Sequence, residues 1–207
     1  FHNLFAGTVL GFLVSAALVV SVRLPTTIPG PRRGIWDRTT RGTRIYLATP
    51  RLRGLLAISL AVSAAGAMVI VNTVVLVKAR FGLGEVEVAS ALAAFGGGSM
   101  VAAFVLPSLL EKVADRTAML TGATVLVVGT GIGALLPSYA LLLPLWLIIG
   151  FGYSVAQTPS GRLLRRSAHA EDRPAIFAAH FALSHACWLI CYPLAGRSHI
   201  HLRAVRK

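Results

Sequence analysis

Long apolar runs separated by short basic segments dominate the hydropathy pattern of this chain. The longest run, residues 117–161, holds 45 residues without a single Asp, Glu, Lys or Arg. As one α-helix it would be about 67 Å long, whereas the hydrocarbon core of a bilayer is about 30 Å thick. The Pro137-Ser138 pair near its middle therefore predicts two membrane-spanning helices that turn back at this point.

The same pattern predicts an all-α, polytopic transmembrane helical bundle with six spans. Each expected span is an apolar stretch of helical length that contains none of the 20 Lys and Arg residues of the chain. The six spans are expected at residues 4–22, 54–77, 86–110, 118–136, 140–158 and 174–196.

The composition supports a membrane protein. Hydrophobic residues make up 56% of the chain and charged residues only 13%, with a mean hydropathy of +0.74. A soluble protein of this length would carry about twice that charged fraction. Because lipid takes the place of water around such a surface, we expect the bilayer to be the solvent and partner of the bundle.

The net charge of +13 would suit a nucleic-acid ligand, but the basic residues lie only between the apolar runs. When the loop at residues 23–53 is placed on one side, that side collects fourteen of the 20 basic residues. The positive-inside rule makes this side cytoplasmic, and no nucleic-acid partner is predicted. The tail at residues 197–207 breaks the rule with four basic residues on the other side. Either a final span was lost by truncation or frameshift, which we favour, or the sixth helix does not cross.

The loop at residues 23–53 contains eight arginines against a single acid, Asp37. Its second half, around Ile45, Tyr46 and Leu47, allows two interpretations. It could form a short amphipathic helix on the membrane surface, or it could be a solvated basic linker.

The two cysteines, Cys187 and Cys191, lie four residues apart in the sixth predicted span. They share one helix face and are expected to act as small apolar packing residues. A metal site would need more ligands nearby, so neither a metal nor a cofactor is predicted.

Few polar side chains fall within the predicted spans, and those are candidates for function because burying them in lipid is costly. Asn72 and Gln157 suit either an interhelical hydrogen bond or a substrate contact, and Tyr153 shares a helix face with Gln157. His180 and His185 are either neutral packing residues or a proton relay that titrates near neutral pH. No Asp or Glu lies deep in any predicted span.

Glycines within the spans predict close contacts between helices. Gly96, Gly97 and Gly98 follow one another in the third span, and Gly129-x-x-x-Gly133 lies in the fourth. Small residues let helix backbones approach closely where lipid removes the hydrophobic drive for association. Close packing is the favoured interpretation, although the run of three glycines would also allow local bending.

The order of segments resembles the major facilitator superfamily of transporters. One inward-running helix, a long basic loop and five further helices are similar to the sixth helix, central loop and seventh to eleventh helices of a twelve-helix member. Residues 111–116, Glu-Lys-Val-Ala-Asp-Arg, resemble the degenerate Gly-x-x-x-Asp-Arg loop between the eighth and ninth helices, with Glu111 in place of the glycine and no trailing basic cluster. Residues 157–166, Gln-Thr-Pro-Ser-Gly-Arg-Leu-Leu-Arg-Arg, resemble the end of the tenth helix in bacterial members.

The resemblance implies secondary active transport by alternating access of two six-helix halves. It makes the seventh and tenth helices the lining of a substrate cavity and the eighth and eleventh the surfaces on which the halves move. The implied substrate-cavity residues are Asn72, Trp146, Tyr153 and Gln157. From the residues themselves, His180 and His185 are the proton-relay candidates and Asp115-Arg116 is the candidate conformational-switch loop.

The resemblance also implies a divided organisation. Residues 1–22 would be the last helix of the N-terminal half, 23–53 the central cytoplasmic loop, 54–196 a partial C-terminal half with five spans, and 197–207 a tail that is not native to the fold. We expect a multi-pass protein of a bacterial inner (plasma) membrane that depends on the missing N-terminal half and does not transport alone. The few charges expected around the cavity favour efflux of small organic compounds as the transport activity.

Two alternatives stay open. Gly97-Gly98-Ser99 resembles the Gly-x-Ser nucleophile of a six-helix intramembrane serine protease of the rhomboid kind, with His180 or His185 as the base. Met100 stands where that family has glycine, and Ser99 lies on the third span rather than the fourth. The second alternative is an inactive truncated remnant. We predict that the protein is not an enzyme.

Overall fold

The computed structural model describes residues 2–22, 34–133 and 135–204, and helices account for nearly all of them. No strand occurs in these ranges, so the all-α prediction is confirmed for the part of the chain that they cover. The helices are α1 (His2–Ser21), α2 (Ile35–Ala48), α3 (Pro50–Val75, continued by the π-helical turn Leu76–Arg80), α4 (Glu85–Lys112), α5 (Asp115–Gly133), α6 (Tyr139–Gln157), α7 (Ser160–Arg166) and α8 (Arg173–Ala204).

Local sequence explains where several helices begin. Pro50 occupies the first turn of α3, where its missing N–H costs nothing, so this helix starts four residues before the predicted span. At the start of α4 the Glu87 carboxylate accepts a hydrogen bond of 2.9 Å from the backbone N–H of Gly84. Asp115 places a negative charge at the N-terminus of α5, where the helix dipole favours it.

Four helical stretches among the described residues are long and apolar enough to cross a membrane: Pro50–Arg80, Glu85–Lys112, Tyr139–Arg166 and Arg173–Arg197. Four of the six predicted spans therefore have this support from length and composition. The other two, at 4–22 and 118–136, stay predictions. The apolar part of α1 is the shorter Phe5–Ser21, and α5 begins with the charged pair Asp115-Arg116.

Helices α4, α5 and α6 alternate in direction. Tyr139 at the start of α6 donates a hydrogen bond of 2.9 Å to the carbonyl of Glu87 near the start of α4, so these two helices run parallel. Between them in sequence, α5 runs the opposite way along α6, with Gly122 close to Ala156 and Gly133 close to Trp146. The chain therefore returns along the bundle through α5 before α6 begins.

Glycines bring the backbones of these helices together, as predicted. A Cβ atom added to Gly98 would overlap the carbonyl of Leu147, and one added to Gly150 would overlap the carbonyl of Phe95. Only glycine allows α4 and α6 to approach this closely. Gly96 and Gly97, by contrast, have open space where their side chains would be, so close packing was wrongly predicted for these two.

The chain divides into two compact units, residues 1–33 and 34–207. In the first unit, the described side chains of α1, from Phe5 to Ser21, are all exposed, including Phe12 at 73%. A helix that is apolar and exposed all round suits a lipid environment.

In the second unit, α2 forms a helix within the predicted loop, so the solvated-linker interpretation is wrong for Ile35–Ala48, whereas a position of this helix on the membrane surface stays a prediction. Tyr46 is fully buried, and Gly42 packs directly against the backbone of Ala175 on α8. Residues 23–33, which form the first part of the predicted loop, lie outside the described residues. At the other end of the chain, α8 continues to Ala204, so the helix extends eight residues past the predicted end at 196.

Candidate functional site

A cavity of about 180 Å³ lies between α3, α6 and α8. It is near the end of the bundle where α3 and α8 begin and α6 ends, because its wall is built from the first half of α3 and the last residues of α6. An apolar floor of Leu55, Ile58 and Val62 meets a group of polar side chains. The polar lining residues are Ser59, Ser63, Gln157, Ser160, His180, Ser184 and His185.

The lining carries no Asp, Glu, Lys or Arg among the residues that the structure describes, so these side chains bring no permanent charge to the cavity. Two serine hydroxyls already donate their protons within their own helices. Ser59 donates to the carbonyl of Leu55, and Ser184 to the carbonyl of Phe181, both over 3.0 Å. Their oxygens therefore face the cavity as acceptors.

Three of the predicted site residues come together in this cavity: Gln157, His180 and His185. Their sequence separation hid this grouping, since Gln157 ends α6 while both histidines belong to α8. The predicted cavity residues Asn72, Trp146 and Tyr153 do not line it.

Those three residues lie in packed parts of the bundle. Asn72 is 3% exposed and its amide donates to the sulfur of Met68 on the same helix. Trp146 is also 3% exposed and donates from Nε1 to Thr73 Oγ1 over 2.7 Å, which ties α6 to α3. Tyr153 packs edge-on against Phe95, with ring centroids 5.5 Å apart. A substrate role for these three stays a prediction.

His180 contacts a residue that the sequence did not single out as functional. Its Nδ1 lies 3.0 Å from the hydroxyl of Tyr46 on α2, and the two rings stack with centroids 5.9 Å apart. Burial raises the pKa of Tyr46 to about 12. The only available sequence signal was the place of Tyr46 in an amphipathic segment.

His185 has a different environment on the same helix. Its Nδ1 lies 2.8 Å from the carbonyl of Phe181, one turn earlier on α8, and its ring lies 3.9 Å from that of Phe181. A proton path between His180 and His185 is not among the described hydrogen bonds, so the relay stays a prediction.

Asp115 of the predicted switch loop is 8% exposed and binds two arginines of α7. Arg162 contacts its Oδ1, and Arg166 Nη1 lies 3.1 Å from its Oδ2. Arg116, the predicted neighbour in the pair, is exposed. The ion pairs therefore join the start of α5 to the segment after α6. Sequence reasoning missed the two arginines because 47 and 51 residues separate them from Asp115.

Ser99, the serine considered as a protease nucleophile, donates a hydrogen bond of 3.0 Å to the carbonyl of Gly150. Among the described contacts, His180 pairs with Tyr46 and His185 with Phe181, and neither pairs with Ser99. The serine therefore serves the contact between α4 and α6.

Alternating helices, four of them long and apolar enough to cross a bilayer, define an integral, multi-pass membrane protein. The family model of the Major Facilitator Superfamily matches residues 55–197. Because this match covers well over half of the 207 residues, the chain belongs to the Major Facilitator Superfamily of membrane transporters. No curated protein and no solved structure matches the chain.

Proposed function

We propose that this chain contributes the sixth to eleventh helices of a secondary active transporter, and that the cavity between α3, α6 and α8 belongs to its substrate pathway. The observation that carries the proposal is a polar cavity inside an otherwise apolar bundle, lined by Gln157, His180 and His185. Polar groups at membrane depth are costly and mark transport pathways. The family match covers every residue that lines the cavity.

The transported compounds are small organic molecules, and the direction is efflux. The lining supports this proposal because it holds serines, a glutamine and histidines but no permanent charge among the described residues. Sites for sugars or phosphates need denser sets of polar and charged partners than this wall provides. The transporter acts in a bacterial inner (plasma) membrane.

Transport requires an N-terminal half that closes over the cavity. Alternating access depends on two repeats that move around a shared site. The exposure of Gln157 and His185 supports this proposal. Both side chains line the cavity yet are exposed within the part of the chain that the structure describes, so an opposing surface could cover them.

Asp115 and the α7 arginines act as the conformational switch at the end of the bundle where α5 begins. The support for this role is geometric: a nearly buried carboxylate joins two segments that are distant in sequence. If one transport state keeps these ion pairs and the other breaks them, their removal changes the balance between the two states.

The first test is to sequence the gene on both sides of these codons. Upstream apolar spans in the same frame would supply the second half, and the complete gene would then be assayed for efflux of a lipophilic fluorescent dye from inverted vesicles. An open reading frame confined to these codons, with no transport from the reconstituted chain, would leave the inactive-remnant alternative standing.

The second test addresses the cavity itself. Gln157→Ala removes a lining amide, whereas Thr158→Ala alters the adjacent exposed residue, which does not line the cavity. We expect Gln157→Ala to reduce dye efflux at least several-fold and Thr158→Ala to leave it unchanged. Equal transport by both variants would remove the cavity from the pathway.

A further inference from the structure

Helix α2 lies along the first turns of α8 and is joined to it by three successive contacts. Arg41 Nε lies 2.8 Å from Asp172 Oδ1, and Asp172 is 8% exposed. Gly42 meets the backbone of Ala175, where an added Cβ atom would overlap the carbonyl. One turn later, the hydroxyl of Tyr46 reaches His180. These contacts fix Tyr46 behind the wall of the cavity.

The direction of the bond between Tyr46 and His180 follows from the chemistry of the phenol. With its pKa raised to about 12 by burial, Tyr46 keeps its proton at any ordinary pH. Tyr46 is fully buried, and His180 Nδ1 is the hydrogen-bond partner of its hydroxyl among the described contacts. The phenol therefore donates to Nδ1, and a neutral imidazole that accepts at Nδ1 carries its own proton on Nε2.

His180 also lines the cavity, so its tautomer determines whether the free ring nitrogen is a hydrogen-bond donor or an acceptor for a ligand. The nearby Ser59 and Ser184 present oxygen acceptors, because their protons go to carbonyls of their own helices. An Nε2–H group adds a donor beside them. The groups around His180 that can titrate are Tyr46 on α2, and His185 and Cys187 on α8, while the lining residues of α3 and α6 cannot.

We propose that Tyr46 is a positioning residue that holds His180 as the Nε2–H tautomer, so that the cavity binds ligands through a carbonyl or carboxylate oxygen. The ligand class in this inference rests on the proposed function. The tautomer of His180 and its dependence on Tyr46 do not depend on transport. Helix α2, which lies outside the family match, thereby sets the hydrogen-bonding character of a cavity formed by other helices.

The test is ¹⁵N NMR of the histidine side chains of the full chain in lipid nanodiscs, since the shifts of the two ring nitrogens report which one carries the proton. His180→Gln assigns the signal. We expect the Nε2–H tautomer in the unaltered chain and a mixture of tautomers in Tyr46→Phe, which keeps the ring and removes only the hydroxyl. Tyr192→Phe is the matched control, because Tyr192 lies about three turns beyond His180 on α8 and does not line the cavity. An Nδ1–H tautomer, or a Tyr46→Phe signal equal to that of the control, would overturn the proposal.

The ligand class is tested with benzoate and with benzylamine, which has a similar size but is a cation. We expect benzoate to shift the Nε2–H signal of His180 and to bind about two- to tenfold more weakly to Tyr46→Phe, with no change in Tyr192→Phe. Absence of a benzoate effect, or an equal effect of benzylamine, would refute the ligand class. If transport is lost while the Nε2–H tautomer persists, only the proposed function is contradicted. If the tautomer does not depend on Tyr46, only this inference is contradicted.

Discussion

Two contacts between helices in this protein differ in how much they rely on charged and polar side chains. In the contact between α4 and α6, glycines allow backbone to meet backbone, as at Gly98 and Gly150. The contact between α2 and α8 also has one such glycine, Gly42, but charged and polar side chains reach across it as well, as in Arg41 with Asp172 and Tyr46 with His180. Close backbone packing suits helices surrounded by lipid, where apolar side chains gain little by associating. Polar contacts depend on hydrogen-bond geometry and can form or break without rebuilding the core.

The largest effect is expected from filling the glycine contact. In Gly150→Leu the new side chain would overlap the backbone of Phe95, so α4 and α6 must move apart. Overpacking usually lowers the free energy of unfolding by about 1–3 kcal/mol, and we expect a loss near the upper end of that range. Thermal unfolding in detergent measures it. Gly97→Leu is the control, because its side chain would enter open space. Equal losses in the two variants would show that backbone proximity does not hold these helices.

The next largest effect is expected at the α5 end of the bundle. Asp115→Asn keeps the side-chain shape but removes the charge that binds Arg162 and Arg166. Because Asp115 is 8% exposed, we expect a loss of about 1–2 kcal/mol in the free energy of unfolding, reduced by the exposure of the arginines. Asp37→Asn provides a matched comparison, since Asp37 pairs with Arg44 at an exposed position and should cost less than about 1 kcal/mol. The prediction is confirmed if Asp115→Asn loses more stability than Asp37→Asn, and it is wrong if the order is reversed.

The sequence predicted the apolar helices well because bilayer thickness fixes the length of a span, and length and hydropathy are local properties. It also predicted close packing at Gly98, Gly129 and Gly133, where each glycine lies against a neighbouring helix. Both successes concern features that a single stretch of residues defines.

Contacts between distant residues could not be predicted in this way. Tyr46 and His180 are 134 residues apart, and nothing in either local pattern points to the other. Asp115 was selected for its neighbour Arg116, yet it binds arginines that follow α6. Asn72 and Trp146 were selected as polar or aromatic groups within spans, but such groups also satisfy hydrogen bonds in a packed interior, as Trp146 does with Thr73.

A smaller effect is expected from weakening the polar contact between α2 and α8. Arg41→Gln removes the charge that pairs with Asp172, and we expect only a small loss of stability because the Arg41 side chain is 30% exposed. Gly42 and Tyr46 would still hold the helix, so the loss should appear as faster backbone hydrogen exchange confined to α2. Arg44→Gln, on an exposed part of the same helix, is the control. Faster exchange throughout α3–α6 would mean that α2 supports the whole bundle.

The smallest effect at neutral pH, and the most specific, is the titration of Tyr46. Its folded pKa of about 12 lies above the ordinary value of 10, so the folded state favours the protonated phenol. The stability that comes with burying this phenol is fully present below pH 10 and is lost as the pH rises through about 12. Subtracting the ultraviolet titration of Tyr46→Phe from that of the unaltered chain isolates this residue. A midpoint near 10 would mean that α2 leaves α8 freely enough for water to reach Tyr46, and the polar contact would then be far weaker than the glycine contact between α4 and α6.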